Sequence, residues 1–111
     1  MLTRDWAALY AEMQAFRAAC GDAHVKAILA TGELQTLDNV ARASWVCMMA
    51  GADFIKTIAT GAVLAIGTEP GAPELTEDQL RAIVKVAHAR GKRVTAHAHG
   101  AIGIRNAIDA G

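Results

Sequence analysis

The residues best able to do chemistry are a lysine and two histidines, each placed near the end of a strand-like run. Lys56 sits in AGADFIKTIATGAV, Ala50 to Val63, behind Phe54 and Ile55 and just ahead of a Thr-Gly turn. His97 and His99 alternate in KRVTAHAHG, the last strand-like run of the chain. Residues two apart on a strand share a face. Lys56 therefore travels with Phe54 and Ile58, and His97 with Thr95 and His99. If the first strand keeps the same register, Lys26 joins them with Ile28 and Ala30. One surface then presents Lys26, Lys56, His97 and His99.

Two chemistries follow from that surface. His97 and His99 can ligate a divalent metal such as zinc, although a catalytic zinc site takes about three protein ligands and one open position. Two His97/His99 pairs brought together by a dimer axis could form a histidine-rich centre with a bound water activated as hydroxide. The competing view of HAH is a plain strand end with one exposed histidine. Lys56 can instead act as an amine nucleophile, which must shed its proton, whereas a free lysine with pKa ~10.4 is protonated at neutral pH. Apolar flanks and a neighbouring Lys26 both work against the charged form. His97 or His99 would then move the proton. The competing view of Lys56 is a lysine with a buried stem and a solvated head.

Other candidates carry less. Asp22 caps a turn ahead of the first strand and Glu33 opens the following helix. His24 starts a strand, far from its C-terminal end. His88 falls in the last turn of a helix, where a cation suits the helix dipole. Ser44 lies mid-helix with no histidine at useful spacing, so a serine triad has no support. Trp6 and Trp45 fall on apolar helical stripes and read as core. GTEPGAP carries no phosphate-loop signature, although the helix N-terminus at Thr76 can hold an anion weakly.

These residues need elements to hold them. Thr3 is placed to cap a helix whose stripe is Trp6, Leu9, Met13 and Phe16, stopped by Gly21. HVKAILATG is a short strand ending at Thr31-Gly32. Thr36 opens a second helix through Val40, Ala43, Val46 and Cys47, stopped at Gly51, and DFIKTIATG is the next strand. AVLAIGTEPGAPEL is a connection broken by glycine and both prolines. Thr76 and Gln79 form a Thr-x-x-Gln capping box for a helix that buries Leu80, Ile83, Val84 and Ala87 and ends at Gly91. KRVTAHAHG is the third strand, and Ala101 to Asp109 the last helix. Strand ends carry Ala-Thr-Gly twice and Ala-His-Gly once. Repeated βα units imply parallel strands joined by right-handed crossovers, with chemistry at the strands' C-terminal ends.

Composition sets the outer bounds. The 111 residues make one small α/β domain, 53% of it hydrophobic, enough for a core. Eleven basic residues balance eleven acidic ones, which argues against nucleic acid as the partner. No stretch approaches the ~18 apolar residues that cross a bilayer, so no membrane partner is expected. Cys20 and Cys47 stand in helical patterns outside any CxxC pair and read as reduced core residues of a cytoplasmic protein.

Residues 5–57 resemble the deoxyribose-phosphate aldolases, class I aldolases with a TIM-barrel fold. The likeness rests on DWAALYAEMQAFRAACGDAHVKAILATGEL and VARASWVCMMAGADFIKT. It implies that Lys56 is the Schiff-base lysine of GADFIKT. Past Thr57 the aldolase continuation Ser-Thr-Gly-Lys is missing, as are a second lysine in a Phe-Lys-Pro strand and a glycine-rich phosphate site. Residues 54–111 resemble instead the metal-dependent amidohydrolases of the imidazolonepropionase and prolidase-like group. That likeness rests on the Ile-Lys-x-x-Ala-Thr-Gly strand, PGAP and AHAHG. It implies a carboxylated strand lysine bridging two divalent metals at Lys56, a metal-binding histidine at His97 and a pocket residue at His99. That family's first-strand histidine pair, later histidine and final aspartate are absent. The chain thus resembles a chimera with an aldolase-like segment, 1–57, and an amidohydrolase-like segment, 58–111, a junction more natural in a recombinant or engineered protein than in a native enzyme.

The expected fold is α/β, a partial TIM barrel of order α-β-α-β-α-β-α with three parallel strands, completed by homo-oligomerisation. The expected activity is metal-assisted hydrolysis of a small ester, amide or phosphoester, with His97 and His99 as ligands. A Schiff-base (retro-)aldolase using Lys56 and an inert self-associating scaffold stand as alternatives.

Overall fold

The computed structural model describes residues 5–61, 66–67 and 69–111. Three strands, β1 (Lys26–Ile28), β2 (Phe54–Ile58) and β3 (Arg93–His97), form one parallel sheet in the order β1-β2-β3. Five helices accompany them among the described residues: α1 (Trp6–Cys20), α2 (Thr31–Leu34), α3 (Leu37–Met49), α4 (Glu77–His88) and α5 (Ala101–Ala110). The parallel α/β fold matches the sequence expectation, with α2 as an added element. The expected cap Thr3 lies outside the described residues, as does part of the connection after Gly61. Asp5 caps α1, its carboxylate accepting from the Ala8 N–H at 2.9 Å.

Where a strand end was expected at Thr31-Gly32, the chain makes the single turn α2. Thr31 and Leu34 are buried there, and the Asn39 amide donates to the Leu34 carbonyl at 2.8 Å. The same carbonyl also accepts the Thr36 N–H at 2.7 Å, so both of its lone pairs are engaged where the single turn ends. Thr36 caps α3 through the Asn39 N–H. Thr76 and Gln79 form the reciprocal box expected at the start of α4.

Alternation along each strand sorts the sheet into two faces. Val25, Ala27, Ile55 and Thr57 turn toward the helices and are buried, and Val40, Ile83 and Ala87 meet them from α3 and α4. The two crossovers put α3 and α4 side by side against the sheet, the arrangement that right-handed connections give. The other face carries Lys26, Ile28, Phe54, Lys56 and Ile58, and among the described residues no helix lies over it; Ile28 there is 55% exposed. In a closed barrel that face would line the interior.

Three core expectations are corrected. Phe16 and Trp45, both placed in the core by helical spacing, are 51% and 41% exposed. Trp45 lies under the Arg90 guanidinium, 4.6 Å from the ring centroid, so its ring is covered by a cation after α4. Cys20 is exposed and only Cys47 is buried, because α1 turns just its Met13 stripe fully inward. No helix among the described residues is long and apolar enough to cross a membrane.

Candidate active site

β2 sits between its neighbours and places Lys56 at the centre of the open face. In register, Lys56 is flanked by Ile28 and Thr95, and Ile58 lies beside His97. Lys56 is half-buried, with hydrophobic neighbours on its own strand. His97 is one strand across and two residues further along, at the C-terminal end of β3, whereas Lys56 is the middle residue of β2. Lys26 shares the face but starts β1, opposite Phe54. It stands at the other end from the histidines.

β3 ends at His97, so His99 is not a strand residue as alternation suggested. The two rings nonetheless meet, edge to face, with centroids 4.6 Å apart. What turns the chain is Thr60. Its hydroxyl oxygen accepts from the His99 N–H at 2.7 Å, and its methyl packs on α5 at Gly103, where an added Cβ would lie 2.0 Å from Cγ2. Gly100 follows at φ 77°, so near Gly71 that a side chain would sit 3.0 Å from the Gly71 carbonyl. Thr60 and Gly61 also bridge to Pro73 and Pro70, which brings the PGAP segment over this end of β2. Thr60 escaped the sequence reading, although its signal, Ala-Thr-Gly at a strand end, was in view.

His97 Nε2 is buried and has no hydrogen-bond partner. A buried imidazole nitrogen rarely goes unpaired, and here the free atom belongs to the ring that touches His99. Two imidazoles are nevertheless short of a catalytic zinc set, and among the described residues no three His, Cys, Asp or Glu come together. The donor chemistry therefore fits part of a divalent-metal site.

At the opposite end of the sheet a second polar cluster was missed altogether. Asp53, just before β2, accepts from the Val25 N–H at 2.7 Å and from Arg17 Nη1 at 3.0 Å, with His24 Nδ1 at 3.6 Å. Arg17 also donates to the carbonyls of Gly21 and Ala23. The Val25 hydrogen bond, aided by the charges of His24 and Arg17, holds the Asp53 carboxyl below its ordinary range against some loss of hydration. Because it joins α1 to the starts of β1 and β2, this cluster is structural. Cys47 has its thiol pushed up to about 11 by burial and by Glu12, which rules against a thiolate nucleophile. His24 and His88 are exposed, and Ser44 is buried with its hydroxyl donating to the Val40 carbonyl at 2.8 Å.

A parallel sheet with helices on one face, and its polar side chains on the other and at the strand ends, defines a part of a (βα) barrel. The chain belongs to the amidohydrolase family, whose model matches residues 6–111. It is 65% identical over 57 residues to the deoxyribose-phosphate aldolase of Homo sapiens, covering 51% of this chain and 18% of that protein. The aldolase of Bos taurus is 49% identical over 109 residues, 98% of this chain and 32% of that protein. Aldolase likeness thus spans about half of the chain in one relative and nearly all of it in the other. A crystal structure of a Xaa-Pro dipeptidase is similar with 37% identity and a TM-score of 0.63, over 68% of this chain and 18% of that one. Shares of 51% and 68% exceed one chain, so the two likenesses overlap, as they can where both families place a parallel strand in one register. The chain spans less than a third of the length of these relatives.

Proposed function

We propose that the chain is the histidine-bearing part of a metal-dependent hydrolase acting on a small ester, amide or phosphoester, with His97 and His99 as metal ligands. The observation that carries this reading is the buried, unpartnered Nε2 of His97 beside the His99 ring. A divalent ion held there supplies polarisation of a carbonyl or phosphoryl oxygen and activation of water. The protein's part is to fix the rings. Thr60 holds the His99 backbone, and the Gly71–Gly100 contact sets where α5 departs.

The missing ligand comes from a second copy. Two apolar grooves accompany the open edges of the sheet. One, of about 680 Å³, runs along β1 and includes Phe16 and Ile28; the other, of about 360 Å³, lies between β3, α4 and α5 with Ile104 and Ile108 at its rim. Ile108 is 72% exposed, and apolar side chains so placed favour self-association. Zinc titration against a chromogenic chelator, with light scattering on the same sample, tests both parts. The expected result is tight zinc binding by an oligomer that His97→Ala abolishes, together with ester hydrolysis that needs the metal. Activity that survives both chelation and His97→Ala sinks the proposal.

A second reading is favoured by the 65% identity to the human aldolase and by the place of Lys56 on the open face: Lys56 as a Schiff-base amine. Borohydride reduction in the presence of an aldehyde then adds mass at Lys56, and an unmodified Lys56 removes this reading. An inert scaffold yields neither result.

A further inference from the structure

The helix-free face carries charge of one sign. Lys26 and Arg93 flank Phe54 in one cross-strand row, and Lys56 stands in the row of Ile28 and Thr95. Adjacent strands lie ~4.8 Å apart and rise ~3.3 Å per residue. Lys26 and Arg93 are therefore about 10 Å apart at Cα, with Lys56 roughly 8 Å from each. Three long side chains on such a triangle can lean to one point.

No ion pair among the described residues neutralises them. No Asp or Glu occupies a strand position of β1, β2 or β3. The ion pairs among the described residues use Arg17, His24, Arg42 and Arg81 and leave Lys26, Lys56 and Arg93 free. The nearest carboxylate along β2, Asp53, is already committed to Val25 and Arg17. The whole chain is neutral by count, so this concentration is local. A groove of about 250 Å³ opens at the same end, lined by His24, Phe54, Lys92 and Arg93 together with Asp53 and Gly91.

We propose that Lys26, Lys56 and Arg93 form a site for a small multivalent oxyanion of the size of pyrophosphate or citrate. Arg93 supplies the planar fork that pairs two oxygens at once, and the lysines act as point charges. A multivalent anion matches the three positive charges, and its several oxygens can pair with more than one of them at once. The site lies at the strands' N-terminal half, away from His99, and stands whether or not the metal reading does.

Calorimetric titration of metal-free protein with pyrophosphate, and separately with citrate, tests it. The expected result is saturable binding of at least one of the two, weakened as NaCl rises from about 50 to about 500 mM. Pyrophosphate alone points to a phosphoryl ligand, citrate alone to a polycarboxylate, and both to charge and size alone. Lys26→Gln and Arg93→Gln should each weaken binding roughly tenfold, while Lys85→Gln, on the exposed side of α4, leaves it unchanged. Because Lys26 and Arg93 are exposed, circular dichroism of these variants should match the parent. Absence of binding by either anion overturns the proposal, as does an equal loss in Lys85→Gln or no loss in Arg93→Gln.

Discussion

Gly103→Ala puts the packing at the histidine end to a test in which two effects oppose each other. Gly103 lies inside α5, where alanine is the better helix former by ~1 kcal/mol. Judged by propensity alone the substitution stabilises. The added Cβ, however, would sit 2.0 Å from Thr60 Cγ2. Thr60 is fully buried, its β-branched side chain is stiff, and its hydroxyl is engaged by the His99 N–H. It cannot swing aside without losing that bond. Overpacking of this kind costs about 1–3 kcal/mol, and a lost hydrogen bond adds about 1 kcal/mol. The clash outweighs the propensity gain, for a net loss of roughly 1–3 kcal/mol. Urea unfolding measures it. Thr60→Ser removes the methyl and keeps the hydroxyl, so it should cost about 1 kcal/mol alone yet rescue Gly103→Ala in the double variant. The cycle should show a coupling of at least ~1 kcal/mol. A Gly103→Ala protein more stable than the parent, or two strictly additive changes, refutes the reasoning.

Asp53 sets an acid limit. Its folded-state carboxyl titrates below the ordinary value, so its contribution to stability is complete above pH ~3.9 and is lost as pH falls through the lower folded value. Asp53→Asn should flatten that acid limb in denaturant titrations between neutral pH and pH 3; an unchanged limb counts against the cluster. Cys20 is exposed and Cys47 buried with its thiol raised to about 11, so a thiol reagent at pH 7.5 should modify one cysteine in folded protein and two after unfolding. Modification of both at one rate would contradict the burial. Thr57 is fully buried with an unpartnered hydroxyl, and Thr57→Val should stabilise by about 1 kcal/mol. A destabilised Thr57→Val protein would mean that the hydroxyl has a partner.

The parallel sheet was legible because its signals are local. Apolar alternation in DFIKT and a Thr-x-x-Gln cap leave few other structures open, and both appear as read. The faces of the strands were legible too, since period two is geometric. Burial of helix residues was not. Phe16 and Trp45 obey the spacing of a core stripe yet are half in water, because a stripe is buried only as wide as the neighbour that covers it. The site was legible in residue type and missed in support. His97 and His99 stand out by chemistry, but Thr60 acts through a backbone bond 39 residues distant. Asp53 likewise acts 28 residues back, on the Val25 N–H, and no local pattern announces either.

The charge on the open face also decides how two copies can meet. Packing face to face would bring Lys26, Lys56 and Arg93 against their equivalents with no carboxylate on either side. Each like pair brought to ~4 Å costs about 4 kcal/mol at a near-surface dielectric. Offsetting one such pair takes roughly 160 Å² of buried apolar surface at ~25 cal/mol per Å². The face has only Ile28, Phe54 and Ile58 of any size to offer, and Phe54 and Ile58 are already half-buried. The edges carry the two apolar grooves, and each edge strand brings one of these cations, Lys26 on β1 or Arg93 on β3, where the face brings three. On the proposed association through edges, the cationic face stays open for the proposed anion.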